Sequence, residues 1–360
     1  MAAEESQGGF DTSKLSRAKS LDAMEGAVTW MPSKDKKEAR RPLPKFVCAK
    51  EVLQSQEDSL KKDLELASTA FKRIQDVIGR RVTCDDAKRP GNYEKNRFKS
   101  VFPNDSTRVR IRQRSSVRQP QQQQQSPPPE EDYINANMLE YPLAGSSPLQ
   151  YIATQGPLKT TVHDFWTMVW EQHVSVIVML TDLQDDLGRD ACTQYWPSAG
   201  SMTSNEFQID CHQIDVCGDF NITTPYLSDI TAMPPEPPRV VYHVQFMPWP
   251  DFGIPANPQM ILTLHQCVRS LQRRTNEHAP LLVHCTAGLG RTGVYILVDV
   301  LLRQITFNQV PNAEAVLCVL REQRCGLVQT EEQYAFSLRV ALAQVVEDAK
   351  LDGSRPSSFH

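Results

Sequence analysis

Residues 281–295, LLVHCTAGLGRTGVY, are the part of the chain that decides its fold. The segment opens with a short apolar run, Leu281 to Val283, of the kind that forms a buried strand. Apolar residues dominate again from Val294 to Leu302, where the run is long enough for a buried helix. Between the two runs lie one cysteine, three glycines and an arginine. The segment therefore predicts a strand, a tight glycine-rich loop and a helix.

The residue types of this loop suit an attack on phosphorus. Cys285 is predicted at the N-terminus of the helix, where backbone N–H groups stabilise a thiolate, the nucleophilic form of cysteine. Small residues after it let further N–H groups converge on an anion the size of phosphate. The loop predicted to bind this anion comprises Thr286, Ala287, Gly288, Leu289 and Gly290. Arg291 adds a planar guanidinium that can bind two phosphate oxygens as the transition state forms.

Two other kinds of site share parts of this pattern. A nucleotide-binding phosphate loop needs G-x-x-x-x-G-K-[ST], and no lysine follows the glycines here. A cysteine protease needs a histidine base elsewhere in the chain, and that chemistry leaves the glycines and Arg291 without a role. Both alternatives fit the residues less well than phosphate chemistry does.

A thiol that attacks a phosphate ester needs an acid to protonate the oxygen that leaves. Asp251 is the candidate, in MPWPDFGIP at 247–255, where prolines and a glycine indicate a loop. Trp249 and Phe252 are large enough to anchor or close that loop. An aspartate in a turn is by itself most often solvated, so the prediction depends on its pairing with the cysteine loop.

Composition indicates a globular protein without an extended nucleic-acid surface. The chain has 360 residues, 40% hydrophobic and 23% charged, with a formal net charge of -4, whereas nucleic-acid-binding proteins usually carry a basic excess. We therefore expect no nucleic-acid partner. Nine cysteines lie without metal-ligand spacing, which favours reduced thiols in the cytoplasm or nucleus and predicts no metal site.

The sequence predicts no membrane segment. Acidic residues stand near the start, where a signal peptide needs positive charge followed by an apolar stretch. Apolar runs such as Val174 to Leu180, which is interrupted by Ser175, are too short to cross a bilayer.

Composition along the chain predicts an α/β domain between polar segments. Residues 1–55 are predicted to be a disordered regulatory arm, 112–131 a disordered Gln/Pro-rich insertion and 349–360 a flexible tail. The catalytic domain is predicted at 56–348, opening with one or two helices from Gln54. Short strands and helices then alternate, as in YINAN (133–137), YIATQGP (151–157), DFWTMVWEQH (164–173) and VSVIVML (174–180).

Eight motifs, in order, resemble those of the protein tyrosine phosphatases of the phosphotyrosine-specific, cytosolic (non-receptor) type, over about residues 90 to 345. The motifs are KNRF (95–98), DYINAN (132–137), YIATQGPL (151–158), DFWTMVWEQ (164–172), QYWP (194–197), WPDFG (249–253), HCTAGLGRTG (284–293) and QTEEQY (329–334). The resemblance implies the cysteine-based tyrosine phosphatase fold, a central twisted mixed β-sheet flanked by helices. It also implies a signalling enzyme that hydrolyses phosphotyrosine in proteins, without metal or organic cofactor.

The same resemblance implies roles for the loop residues. Cys285 corresponds to the nucleophile that forms a cysteinyl-phosphate, and Arg291 to the residue that clamps the phosphate. Asp251 corresponds to the general acid, which later acts as general base toward water. Thr292 corresponds to the residue that helps the cysteine leave, and His284 to the one that tunes it.

Residues outside the loop match the family as well. Gln329 corresponds to the glutamine that positions the hydrolytic water, and Gln333 to its helper. Phe98 occupies the place of an aromatic ring, usually tyrosine, that lines a pocket too deep for phosphoserine. Ser100 replaces an aspartate that binds the peptide backbone of the substrate. The loop residues 286–290 are neutral, whereas family members that act on inositol phospholipids carry lysines there.

Departures from the family pattern keep two alternatives open. Asp186 stands where many members have a glutamate that orients the arginine, and Ala191 where they have a lysine that contacts the acid loop. A catalytically weak phosphotyrosine-binding module is one alternative, although such modules usually lack one of the three catalytic residues. A dual-specificity phosphatase is the other, although it normally lacks KNRF and QTEEQY.

Within the arm, residues 36–46 combine a basic cluster with two apolar side chains, Leu43 and Phe46. This pattern loosely resembles a docking peptide for MAP kinases. A solvated basic tract explains the same residues more simply.

Overall fold

The computed structural model describes residues 49–78, 82–112, 132–250 and 253–353. Most of the predicted arm, nearly all of the predicted insertion, and the end of the tail lie outside these residues.

One mixed β-sheet forms the centre of the described chain. Its strands are β1 (Arg108–Arg110), β2 (Tyr133–Tyr141), β3 (Leu149–Thr154), β4 (Val176–Met179), β5 (Gly200–Ser204), β6 (Phe207–Cys217), β7 (Phe220–Asp229), β8 (Arg239–Val240), β9 (Tyr242–Phe246) and β10 (Leu281–His284). Their order is β1-β2-β3-β10-β4-β9-β7-β6-β5, and β8 pairs with β7. β3, β10, β4 and β9 run parallel, and the other pairs are antiparallel.

Helices flank this sheet, as the sequence predicts. They are α1 (Ala49–Glu65), α2 (Ala67–Ile78), α3 (Asp85–Lys88), α4 (Pro90–Tyr93), α5 (Val162–Glu171), α6 (Pro258–Arg274), α7 (Gly290–Thr306), α8 (Ala313–Gln323) and α9 (Glu331–Gly353). α7 is buried over nearly its whole length, which explains why its sequence is apolar almost without interruption. α5 supplies Phe165, Trp166 and Trp170 to the core around Ile177 and Leu282.

The strand order brings four loops to one edge of the sheet. The central strands β10 and β4 are buried at every position, as their continuous apolar sequences predict. Because parallel strands end at the same edge, the segments after β3, β4, β9 and β10 meet there. The glycine-rich loop follows β10, and the segment that contains Asp251 follows β9.

Two predicted domain boundaries fall inside helices. α1 begins at Ala49, seven residues before the predicted boundary at 56, because Leu53 and Gln56 are buried and Gln56 Nε2 donates to Gln309 O at 2.9 Å. Residues 49–55 are therefore helical rather than part of a disordered arm. At the other end, α9 continues to Gly353, since no glycine or proline interrupts it earlier. Residues 349–353 of the predicted flexible tail are thus helical.

Helices in the described ranges contain no apolar stretch long enough to cross a membrane.

Candidate active site

The predicted strand, loop and helix are all present around Cys285. β10 ends at His284 and α7 begins at Gly290, so the loop occupies residues 285–289. Cys285 is buried, and its Sγ accepts a hydrogen bond from the backbone N–H of Gly288 at 3.3 Å. A backbone donor directed at the sulfur favours negative charge there.

Gly288 is required by geometry. Its φ is +69°, and a Cβ added to it would lie 2.2 Å from the backbone carbonyl oxygen of Thr154. A side chain at this position would therefore collide with the end of β3 as well as strain the backbone. The glycine allows the loop to pack directly against the neighbouring strand.

Arg324 holds the outer side of the loop. This side chain is fully buried, and it donates from Nε to Gly288 O at 2.9 Å and from Nη2 to Ala287 O at 3.3 Å. Its remaining donors bind Asn137 Oδ1 at 2.8 Å and Asn135 Oδ1 at 3.0 Å. Because the C=O and the following N–H of a peptide point in opposite directions, the N–H groups of 288 and 289 face away from Arg324.

Burial lowers the pKa of Arg324 to about 10. The guanidinium is therefore still charged at neutral pH. Its four partners above are all neutral oxygens, so the positive charge lies behind the loop and favours an anion in front of it.

Arg291 lies in the first turn of α7 and points toward the end of β4. Its Nη1 donates to Thr181 Oγ1 at 3.2 Å and to Leu180 O at 3.3 Å. Thr181 Oγ1 is also 3.2 Å from Thr286 Oγ1. The Thr286 hydroxyl of the loop thus joins the group that positions the arginine.

Thr292 follows in the same turn and is fully buried. Its Oγ1 has no hydrogen-bond partner in the described part of the chain. A buried hydroxyl without a partner is costly, and it is available to a sulfur or phosphate in the loop.

Gln329 and Gln333 lie against Gly290, the first residue of α7. A Cβ added to Gly290 would lie 2.6 Å from Gln329 Oε1 and 3.0 Å from Gln333 Nε2. The two glutamines are linked, since Gln329 N donates to Gln333 Oε1 at 2.9 Å. Arg321 fixes the preceding backbone by donating to Leu327 O at 2.7 Å and Val328 O at 2.5 Å.

His284 is fully buried at the end of β10. Its Nδ1 is 3.3 Å from Cys285 O, and its Nε2 is 2.7 Å from the hydroxyl of Tyr195. Burial lowers the pKa of His284 to about 4, so the ring is neutral at neutral pH.

Phe98 is 41% exposed, and the residue before it is tied to the cysteine loop. Arg97 donates to Gly156 O at 3.1 Å and to Pro157 O at 2.7 Å, and it pairs with Asp190 at 2.8 Å. Gly156 N in turn donates to Thr286 O at 3.1 Å. Ser100, two residues beyond Phe98, is exposed.

Asp251 and Phe252 lie outside the described residues, whereas both flanks of their segment are described. Trp249 is buried, and its Nε1 donates to Gly253 O at 3.1 Å. Its ring lies near those of Phe246 and Phe336, with centroids 6.2 and 6.4 Å away. The two ends of the segment are therefore held together by one side chain.

A cavity of about 320 Å³ separates the arginine from this segment. Arg291, Asp186, Trp249 and Pro250 are among its lining residues. Asp186, which the resemblance aligns with a glutamate that orients the arginine, lines the same cavity as Arg291. Ala191 is buried.

Several residues of the site were missed in the sequence, chiefly Arg324, Arg97, Thr181 and Tyr195. Arg324 and Arg97 are charged, and a charged residue is ordinarily expected on the surface. Arg97 falls within KNRF and Tyr195 within QYWP, so motif membership was the available signal for these two. Arg324 carried no such signal.

Comparisons with known proteins agree with this geometry. A family model described as "Protein-tyrosine phosphatase" matches residues 92–343. The chain is 34% identical over 303 residues to "Tyrosine-protein phosphatase non-receptor type 21" of Rattus norvegicus, which covers 79% of this chain and 24% of that protein. It is also 34% identical over 280 residues to "Receptor-type tyrosine-protein phosphatase zeta" of Homo sapiens, covering 76% and 11%. The chain therefore spans a quarter or less of the length of these relatives.

A solved structure is similar over almost its entire length. The catalytic domain of human protein tyrosine phosphatase non-receptor type 18 is 32% identical in sequence, with a TM-score of 0.69. The match covers 80% of this chain and 99% of that domain.

Proposed function

Since the chain belongs to the protein-tyrosine phosphatase family, we propose that it hydrolyses phosphotyrosine in proteins through a cysteinyl-phosphate intermediate. The observation that carries this proposal is the backbone of the cysteine loop. Its N–H group at Gly288 is directed at Cys285 Sγ, while Arg324 binds the carbonyls on the outer side. Such a loop suits a tetrahedral anion next to a thiolate.

In the first step, Cys285 Sγ attacks phosphorus. The S–P bond forms as the bond between phosphorus and the tyrosyl oxygen breaks. Arg291 and the loop N–H groups bind the three remaining oxygens, and Asp251 gives its proton to the departing phenolate. The products of this step are tyrosine and the cysteinyl-phosphate.

In the second step, water attacks phosphorus and the S–P bond breaks. Asp251, now a carboxylate, accepts a proton from that water. Gln329 orients the water with the help of Gln333, a role that the contact of both amides with Gly290 supports. The buried hydroxyl of Thr292 can donate to the thiolate as it leaves.

Phe98 supports selectivity for phosphotyrosine over phosphoserine. Its exposed ring can stack on the tyrosine ring, an interaction worth about 0.5 to 1.5 kcal/mol beyond burial. A phosphoserine, which is shorter, would leave its phosphate away from the loop. The neutral residues 286–290 offer no lysine for an inositol phospholipid.

We assign this reaction to the part of the chain between α1 and α9, with residues before α1 as a regulatory arm. The cytoplasm is the proposed compartment, and the non-receptor type the proposed class. Eight free cysteines among the described residues support a reducing environment. Contact with MAP kinases through residues 36–46, which lie outside the described ranges, is a further proposal; deletion of residues 34–46 should then abolish co-purification with such a kinase.

Phosphate release from a phosphotyrosine peptide and a phosphoserine peptide tests the proposal. We expect release from phosphotyrosine alone, abolished in Cys285→Ser and strongly reduced in Asp251→Ala. Tight binding of the phosphotyrosine peptide without release by the wild type would instead identify a binding module. Equal rates on both peptides would identify a dual-specificity phosphatase.

A further inference from the structure

Two buried histidines and one tyrosine form a continuous hydrogen-bond network that reaches the cysteine loop. The Tyr195 hydroxyl lies 2.7 Å from His284 Nε2 and 2.8 Å from His243 Nε2. His284 ends β10 and His243 lies on β9, with β4 between the two strands. His243 is in register with Ile177 and His284 with Met179, so both histidines face the same side of the sheet.

Aromatic rings enclose this hydrogen-bond network and exclude water from it. The Tyr195 ring lies 4.4 Å from that of Phe165 and 4.9 Å from that of Trp196, measured between centroids. Trp196 also covers His243, at 4.2 Å. Burial lowers the pKa of His243 to about 3 and that of His284 to about 4, so both rings are neutral. Each therefore carries one N–H and one bare nitrogen.

The Cys285 carbonyl determines which atoms donate and which accept in this network. This oxygen can only accept a hydrogen bond, so His284 Nδ1, at 3.3 Å, must carry the proton. His284 Nε2 is then bare and accepts from the Tyr195 hydroxyl. Since that hydroxyl has a single proton, its oxygen must accept from His243 Nε2–H.

If every hydrogen bond of the network ran the opposite way, two buried nitrogen atoms would lack a suitable partner. His284 Nδ1 would turn a lone pair toward the Cys285 carbonyl oxygen, which also carries lone pairs. His243 Nδ1 would carry a proton, and this buried atom has no hydrogen-bond partner in the ranges that the structure describes. An unpaired buried N–H costs more than an unpaired lone pair of this kind. Only one direction therefore satisfies every donor.

We propose that His243 is a positioning residue for the cysteine loop: its Nε2–H directs the Tyr195 hydroxyl to His284, which in turn holds the Cys285 carbonyl outward. Because the C=O and the following N–H of a peptide are opposed, the Thr286 N–H then points into the loop, where it can bind a phosphate oxygen. This inference rests on the proposed phosphatase function for its catalytic consequence, and on hydrogen-bond geometry and burial for its direction.

Nitrogen-15 NMR of histidine-labelled wild-type protein tests the direction without any substrate. We expect the Nδ1–H tautomer for His284 and the Nε2–H tautomer for His243, with signals assigned by their loss in His284→Gln and His243→Gln. The opposite tautomer at either residue would overturn the inference. This experiment gives its answer whether or not the protein hydrolyses phosphotyrosine.

Kinetics tests the role of His243. His243→Phe keeps a ring against Trp196 and removes the donor, whereas His243→Gln keeps an N–H at similar reach. We expect kcat on a phosphotyrosine peptide to fall about fivefold in the first variant, with KM changed less than twofold, and to recover in the second. Tyr195→Phe, which removes both bonds and keeps the ring, should lower kcat at least as much.

Tyr141→Phe is the matched control, because it removes one neutral hydrogen bond, from Gln304 Nε2 at 3.1 Å, at the far end of β2. Its kcat should equal that of the wild type. Wild-type kcat in His243→Phe and Tyr195→Phe would overturn the inference. An equal loss of kcat in His243→Phe and His243→Gln would also overturn it, provided that both variants melt at the same temperature as the wild type.

Discussion

Arg324 Nε donates to the carbonyl oxygen of Gly288 at 2.9 Å, so a fully buried guanidinium holds the backbone of the loop that contains Cys285. The two residues are 36 positions apart in the chain. The contact orients N–H groups inward and also places a positive charge behind the loop, and it thus contributes to both parts of the proposed phosphate site.

Replacing Arg324 should therefore impair turnover. In Arg324→Met, kcat on a phosphotyrosine peptide should fall about tenfold, less than the 10²- to 10³-fold typical of losing a direct oxyanion donor. Arg324→Lys should lose most of this activity too, because one ammonium cannot reach all four acceptors of the planar group. Arg339→Met, an exposed site on α9, is the control. An unchanged kcat in Arg324→Met would contradict the role given to this side chain.

Gly288→Ala should lower kcat far more than the same substitution at another glycine with a similar positive φ. Gly218, in the turn between β6 and β7, has φ +63° and no atom within 4 Å of an added Cβ. Gly218→Ala should cost about 1 to 2 kcal/mol of stability from strain alone, with kcat unchanged. In Gly288→Ala the added methyl displaces the loop or β3, and kcat should fall at least 100-fold. Similar kcat values for the two variants would refute the steric account.

Stability should fall as pH drops from about 7 to 5. His243 and His284 have folded pKa values of about 3 and 4, below the unfolded value near 6.5. The unfolded chain therefore binds more protons in this window, and stability is lost as pH falls. Each histidine should remove about 2 kcal/mol of unfolding free energy at pH 5 relative to pH 7. Urea denaturation at the two pH values measures this loss.

His243→Gln removes one of these titrating groups and should make the loss about 2 kcal/mol smaller. An exposed site without a titrating group provides the comparison, since Met233→Gln should leave the pH dependence unchanged. An identical pH dependence in all three proteins would show that His243 is not held neutral by the fold.

Trp249→Phe should slow the protonation of the leaving group by Asp251. The variant loses the hydrogen bond to Gly253 O, which joins the two ends of the segment containing Asp251. We expect kcat to fall about fivefold for a phenyl phosphate whose leaving group has a high pKa. The effect should be smaller for p-nitrophenyl phosphate, which needs less protonation. Equal losses on both substrates would place the role of Trp249 outside the acid step.

The strand, loop and helix around Cys285 were predictable because each has a strong local signal. A short apolar run, two closely spaced glycines and a long apolar run differ in period and length. The mixed α and β class followed from similar alternation earlier in the chain. Both predictions are confirmed by the element order.

The support for the loop was not predictable, because it comes from residues distant in sequence. Arg324 binds Asn137 and Asn135 across 187 and 189 positions. Local patterns carry no information about such pairing, and charge argues for exposure. The start of α1 was missed for a related reason: Val52 and Leu53 are the only apolar side chains between Lys50 and Ser59, and the burial of Leu53 is decided by tertiary contacts.

The position of β10 has a consequence for how the protein is made. β3 and β4 both pair with β10, yet they precede it in the chain by more than 100 residues. During synthesis, the two halves of the sheet therefore wait with open, apolar edges until Leu281–His284 has left the ribosome. Such edges invite pairing with other chains. The strand that leads into the cysteine loop is thus also the one that closes the nascent sheet, and a chain that stops before it should aggregate rather than fold.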